Sequence, residues 1–125
     1  MPQRLRITFG DVSLDVTCRD TPTAWAVAEA CPVEGRTQTW GEEVFFRIDI
    51  DVAAESDAKA VVEPGEIAFW PGGRALAVGY GPTPISQAEE IRLAAPCNIF
   101  ADADFDVRIL AAVGSGEPAR VERLD

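Results

Sequence analysis

The stretch VVEPGEIAFWPGGRALAVGYGPTPIS, from Val61 to Ser86, decides how the chain folds. It contains two apolar runs, Ile67–Trp70 and Ala75–Tyr80, with Pro71-Gly72-Gly73 between them. Proline and glycine supply the backbone angles that a chain reversal needs, so two short apolar runs joined in this way predict a β-hairpin. Pro82-Thr83-Pro84 follows it, and because its prolines have fixed φ angles and lack amide donors, it predicts a stiff corner outside any central strand.

Three further strands are indicated upstream of this hairpin. Apolar and polar residues alternate from Arg4 to Phe9 and from Val12 to Thr17, the period of half-buried strands. These two runs flank Gly10-Asp11 and therefore predict a tight hairpin. Another alternating strand lies between Gln38 and Ile50, after a bend at Trp40-Gly41.

A helix is expected between the first hairpin and that strand. Asp20 or Thr21 can cap it, Pro22 suits its first turn, and Ala24–Cys31 is rich in alanine. The residues at helical spacing on the face expected to enter the core are Trp25, Val27, Ala28 and Cys31.

The remaining segments complete a mainly β pattern. Residues 51 to 60 are acidic and predict a surface loop, Cys97–Ala101 predicts a strand, and Ala119–Leu124 predicts a closing strand. Asp104–Ala112 fits a strand or a short helix, and we favour the helix. Seven or eight short strands without a βαβ rhythm predict a closed or nearly closed β-barrel with one or two short helices.

Length and charge narrow the class of protein. With 125 residues, 47% of them apolar and 26% charged, the chain is expected to form one domain over residues 1–125. Its formal net charge of −10 disfavours nucleic acid and anionic membrane surfaces as partners.

Cysteine and histidine usage narrows the chemistry. Cys18, Cys31 and Cys97 are odd in number and widely spaced, which favours reduced thiols and, with no apolar leader, a cytoplasmic location. The chain has no histidine, so imidazole-activated nucleophiles and imidazole metal ligands are excluded. We predict no cofactor and no metal.

Four blocks of sequence carry a resemblance that covers nearly the whole chain. They are Thr39–Phe46, Pro64–Gly73, Gly81–Pro84 and Pro96–Ile99. In this order they resemble the prokaryotic family of small cyclophilin-like proteins of unassigned function. The resemblance implies a closed, eight-stranded cyclophilin-like barrel, with the helix from Pro22 to Cys31 at one end.

The resemblance does not imply prolyl isomerase activity. Isomerases of the cyclophilin type carry a Phe-His-Arg segment and a Gln-Gly-Gly-Asp-Phe segment. Phe45-Phe46-Arg47 is similar to the first without its histidine, and the second is absent. Strand alternation places Arg47 on the outer, solvated side.

Aromatic residues and prolines cluster in the blocks of the resemblance and indicate an apolar pocket beside the Pro82-Thr83-Pro84 wall. The candidate ligand-binding residues are Trp40, Glu42, Phe46, Phe69, Trp70, Arg74, Tyr80, Pro82, Thr83 and Pro84. Arg74, at the hairpin tip, can hold a carboxylate or carbonyl group. The alternatives are barrel core for the aromatic residues and a solvated tip for Arg74.

Two pairs of carboxylates, Glu42 with Glu43 and Glu63 with Glu66, can serve as acid and base if burial separates their pKa values, and otherwise lie on the surface. The preferred function is a module that binds a small molecule or an extended peptide. The alternative is an enzyme using Glu42 or Tyr80, either a divergent prolyl isomerase or a small hydrolase. The sequence assigns no catalytic residue, ligand or oligomeric state.

Overall fold

The computed structural model describes residues 2–124, which form a nearly closed barrel of antiparallel strands. The strands are β1 (Arg4–Phe9), β2 (Val12–Cys18), β3 (Val33–Arg36), β4 (Gln38–Thr39), β5 (Glu43–Arg47), β6 (Lys59–Val62), β7 (Glu66–Trp70), β8 (Ala75–Gly79), β9 (Ile91–Ala103) and β10 (Pro118–Arg123). Their order is β3-β10-β1-β2-β9-β7-β8-β5-β4, and β6 pairs with β9 beside this path. The predicted mainly β class and nearly closed barrel are confirmed.

Both predicted hairpins form. β1 and β2 pair from Arg4 opposite Thr17 to Phe9 opposite Val12, and β7 and β8 pair with Trp70 opposite Ala75. The alternation of apolar residues fixes this register because a slip by one residue would turn every apolar side chain toward solvent.

The helix α1 (Pro22–Ala30) forms where it was predicted, and Thr21 caps it by accepting a hydrogen bond from the Ala24 amide at 3.1 Å. Val27 and Ala28 enter the core. The prediction was wrong for Trp25, which is 60% exposed. Ala24, Val27 and Ala28 form the buried i, i+3, i+4 stripe, and Trp25 lies beside it toward solvent.

Cys31 is half-buried, contrary to the buried position expected on the helical face. It is the C-cap of α1 and has extended backbone angles, so its side chain leaves the line of the helical face. A 3₁₀ helix over Val107–Ala112 occupies the segment for which a short helix was favoured. No helix among residues 2–124 combines the length and apolar character needed to cross a bilayer.

Three short strands were not predicted: β4, which lies before the Trp40-Gly41 bend and pairs with β5, and the strands β3 and β6. β3 follows α1 directly and pairs with β10, and β6 occupies the end of the predicted loop at 51 to 60 and pairs with β9. β3 and β6 have four residues each, VEGR and KAVV, which is too short a run to show the apolar alternation that identifies a strand. With them, the described residues form more than the eight strands that the resemblance implied.

Candidate ligand-binding site

The long strand β9 gives the barrel a second apolar layer on its outer side. Its second half pairs with β7, from Phe69 opposite Asn98 to Glu66 opposite Asp102, and its first half pairs with β6. The first half packs across the face of β7 and β8 that points away from the barrel interior. The small cluster buried there consists of Val62, Ala68, Ala77, Ile91, Leu93, Cys97 and Ile99.

A glycine on β8 permits this close approach. A Cβ atom built on Gly79 would lie only 2.3 Å from Ile91 Cγ2, so any larger residue at this position would push β9 away. The absence of a side chain at Gly79 therefore brings the start of β9 onto the sheet.

A pocket of about 220 Å³ lies between the two layers and is open to solvent on one side. Its lining residues are Trp40, Glu43, Phe45, Trp70, Ala75, Ala77, Leu93, Ala94, Ala95 and Cys97. Because the side chains of Ala75 and Ala77 on β8 are short, they leave an open space between the larger aromatic side chains of the lining. The lining is almost entirely apolar, with the carboxyl group of Glu43 as its one charged group.

The hairpin turn positions Trp70. A Cβ atom built on Gly73 would collide with the six-membered ring of Trp70, and one built on Gly72 would lie 3.0 Å from Trp70 Nε1. The Pro71-Gly72-Gly73 turn therefore folds back onto the indole, and this packing gives the two glycines a role besides reversing the chain.

A turn over residues 40 to 43 positions the opposite wall. The Trp40 amide donates to the Glu43 carbonyl at 3.0 Å, and Gly41 has a φ of +60°. A Cβ atom on Gly41 would lie 2.8 Å from Pro84 Cδ, so the proline corner packs directly on this turn. The turn fixes Trp40 at the pocket rim and starts β5 with Glu43 facing the pocket.

Glu43 is a buried carboxylate whose hydrogen bonding is incomplete. The residue is 6% exposed, and within residues 2–124 its Oε1 atom has no hydrogen-bond partner. Removal from water raises the pKa of Glu43 to about 7, because burial penalises the charged form. A group of this kind changes charge near neutral pH.

Cys97 lies on the other side of the pocket and is a poor nucleophile there. Burial and, less strongly, the charge of the neighbouring Glu43 raise the pKa of its thiol to about 12. Its Sγ atom donates to the Ala95 carbonyl at 3.3 Å. The thiol therefore remains protonated and acts as part of the apolar wall.

Of the aromatic residues predicted for the pocket, Trp40 and Trp70 line it. Phe46 and Phe69 do not, because they are fully buried in the barrel interior, as the alternative had it. Tyr80 is half-buried and packs against the same interior core. Strand alternation explains the separation, since Phe46 and Phe69 point to the opposite side of their strands from Phe45 and Trp70.

The predicted polar residues lie outside the pocket lining. Glu42 is exposed and lies beside Gly81. The Arg74 guanidinium lies 3.7 Å from Asp49 and 3.9 Å from Asp51. It therefore faces an acidic loop, which explains why it is not positioned to hold a ligand carboxylate in the pocket.

The proline corner, Pro82-Thr83-Pro84, is hydrogen-bonded to both β9 and the turn before β5. The buried Thr83 donates its hydroxyl to the Arg92 carbonyl, which ties the corner to β9. The Glu42 amide donates to the Pro82 carbonyl at 3.0 Å, which ties the corner to the turn before β5. Pro82, Thr83 and Pro84 thus connect the two layers without lining the space between them.

The second carboxylate pair is not free for acid–base chemistry. Glu66 accepts from Arg19 Nη2 and from Lys59 Nζ at 3.0 Å each. Burial opposes ionisation of Glu66, but its hydrogen bonds to the Glu63 amide, Lys59 and Arg19 outweigh it and lower the pKa. This carboxylate is held ionised in a salt-bridge network.

Three aspartates at alternate positions of the β9 end and the following turn are likewise paired with arginines. Asp102 binds Arg19, Asp104 binds Arg4 and Asp106 binds Arg108. Their charges are compensated one by one, so the alternate spacing does not create a cluster of free carboxylates.

Sequence reasoning did not place Phe45, Leu93, Cys97 and the four alanines in the pocket, and it weighed Glu43 only as half of a pair. The alternation of β5 already indicates that Glu43 and Phe45 share the face opposite Phe46. Alternation could not show that this outer face is buried, because the residues of β9 that bury it are distant in sequence.

Comparisons with known proteins give a family and a fold. The model of the cyclophilin-like family matches residues 3–122. The solution structure of the hypothetical protein AF2241 from Archaeoglobus fulgidus is 33% identical, with a TM-score of 0.85 over 98% of this chain and 95% of that one. A comparison with curated protein sequences found no match.

A second solved structure, McbB in complex with tryptophan, shares the fold at 15% identity and a TM-score of 0.66. The match covers 95% of this chain and 44% of McbB.

Proposed function

The chain belongs to the cyclophilin-like family, and we propose that it is a binding module that takes a small molecule in the pocket between Trp40 and Trp70. The observation that carries this proposal is an apolar cavity on the outer side of a barrel whose interior is filled by side chains. Aromatic walls and one polar group are the usual composition of small-molecule sites.

The size of the pocket limits the ligand. Its volume of about 220 Å³ is below the roughly 300 Å³ at which drug-sized sites begin. The pocket suits a compound with a single ring or a short aliphatic chain. An extended peptide can place one apolar side chain there, and peptide binding is therefore an outcome that the test below must distinguish.

The alternative of an enzyme has one observation in its favour, the pKa of about 7 at Glu43, which suits a general acid or base at neutral pH. The neighbouring groups argue against a complete catalytic set. The pKa of the Cys97 thiol is raised to about 12, and burial also raises the pKa of Tyr80, so neither is an activated nucleophile. Binding without turnover is the function that these groups support best.

A fragment screen read by tryptophan fluorescence tests the proposal. Ala95→Leu adds bulk at the half-exposed rim of the pocket, and Ala54→Leu adds the same bulk on an exposed loop as the control. We expect single-ring fragments to bind, Ala95→Leu to weaken them at least tenfold and Ala54→Leu to have no effect. Absence of any binding fragment, or binding that is insensitive to Ala95→Leu, would contradict the proposal. Preference for apolar peptides over every fragment would reassign the ligand to a peptide.

A further inference from the structure

We infer that the pocket selects small amines, with the ammonium group of the ligand against Glu43 and its apolar body between Trp40 and Trp70. This inference rests on the proposed function, because it names the ligand class of the same pocket. It follows from the buried carboxylate, the aromatic walls and the charge of the whole molecule.

The buried carboxylate of Glu43 favours a ligand that donates hydrogen bonds. Glu43 is 6% exposed and lines the pocket, and its Oε1 atom accepts no hydrogen bond within residues 2–124. A buried acceptor without a donor is costly, and a ligand that brings the donor into the pocket recovers that cost. An ammonium group supplies donors and the opposite charge together, which makes the stronger, charge-assisted bond.

The walls give the second argument. Trp40 and Trp70 present indole rings, the aromatic groups that best attract a cation near their faces. None of the lining residues is basic, so the pocket has no group to receive an anionic ligand. The formal net charge of −10 also favours the approach of a cation over that of an anion.

The titration of Glu43 predicts how binding depends on pH. The charged form is required for an ammonium ligand, and the group that faces Glu43 from β9, the Cys97 thiol, stays neutral. With the pKa of Glu43 at about 7, amine affinity should be full at pH 8 and fall as the pH drops below 7. A ligand that accepts a hydrogen bond from the protonated acid would show the reverse dependence.

Calorimetric titration with three matched probes tests the inference. The probes are 2-phenylethylamine, the neutral 2-phenylethanol and the anionic 3-phenylpropanoate, each measured at pH 6 and pH 8. At pH 8 we expect the amine to bind at least tenfold more tightly than the alcohol, and the anion to bind most weakly. Glu43→Gln should abolish the preference for the amine while the alcohol still binds, and Glu89→Gln, which removes an exposed charge, should change neither.

The outcomes distinguish a failure of the amine inference from a failure of the proposed binding pocket. Equal affinity for the amine and the alcohol, tighter binding at pH 6 than at pH 8, or an amine preference that survives Glu43→Gln would overturn the amine inference and leave the binding pocket standing. If none of the three probes bound and the fragment screen also found no ligand, the proposed pocket function would fail, and the amine inference with it.

Discussion

At the scale of single residues, burial decides which groups have unusual chemistry. Glu42 and Glu43 are adjacent and identical in type, yet one is exposed and the other is 6% exposed. Alternation along β5 turns only Glu43 toward the covered outer face. The sequence indicates the direction of each side chain, but only the folded chain shows which directions end in water.

The raised pKa of Glu43 predicts a pH-dependent stability. An unfolded chain ionises this carboxyl near its ordinary value of 4.5, whereas the folded protein does so at about 7. The contribution of Glu43 to the free energy of unfolding should therefore fall by about 3 kcal/mol as the pH rises from 4.5 to 7.

Denaturant unfolding of the wild type and Glu43→Gln from pH 4.5 to 8.5 measures this effect. The carboxylates with lowered pKa values, such as Asp15 and Asp104, titrate in both proteins and cancel in the difference. Glu43→Gln should gain stability relative to the wild type across this range. Two parallel pH profiles would show that Glu43 is not desolvated.

The thiols provide a second prediction at this scale. Burial raises the pKa of Cys18 to about 11 and that of Cys97 to about 12, while Cys31 is half-buried. Alkylation needs an accessible thiolate, so Cys31 should react first and the other two only on opening of the fold. Mass spectrometry of the native protein during iodoacetamide labelling measures the order. Equal labelling of all three would count against the burial of Cys18 and Cys97.

At the scale of elements, the sequence predicted the structures whose strands are neighbours in the chain. The hairpin β7–β8 and the hairpin β1–β2 follow from apolar alternation and turn residues close in the chain. The strands β3 and β6 could not be predicted in this way, since their partners β10 and β9 are distant in sequence. The same limit applies to the pocket lining. Trp40 and Trp70 flank local turns and were predicted, whereas the lining residues of β9 were not.

The turn after β7 gives a prediction about an element. Gly73→Ala places a methyl group against the Trp70 ring, so the indole must move or the turn must open. We expect a loss of about 1–3 kcal/mol in the free energy of unfolding and a changed tryptophan emission. Gly114→Ala is the control, because its new Cβ atom would lie 3.8 Å from Glu117 Oε2, an ordinary contact. If the two variants were equally stable, the packing of the turn on Trp70 would be unimportant.

At the scale of the whole molecule, a shared fold leaves the activity open. The outer face carries Arg47, exposed as alternation predicted, but the chain has no histidine and no Gln-Gly-Gly-Asp-Phe segment. We expect prolyl isomerase activity on a tetrapeptide substrate to equal the uncatalysed rate. A rate well above it that is lost in Arg47→Ala would require an isomerase instead.

A ligand in the pocket between Trp40 and Trp70 should change the indole N–H signals of both residues, and the protein has three such signals in all. Trp25 is 60% exposed on α1 and does not line the pocket, so it serves as an internal control. In a two-dimensional ¹H–¹⁵N titration with 2-phenylethylamine or a fragment from the screen, the signals of Trp40 and Trp70 should shift together with one dissociation constant, while that of Trp25 stays in place. A shift of the Trp25 signal alone, or no shift of the Trp40 and Trp70 signals with any compound, would contradict ligand binding in this pocket.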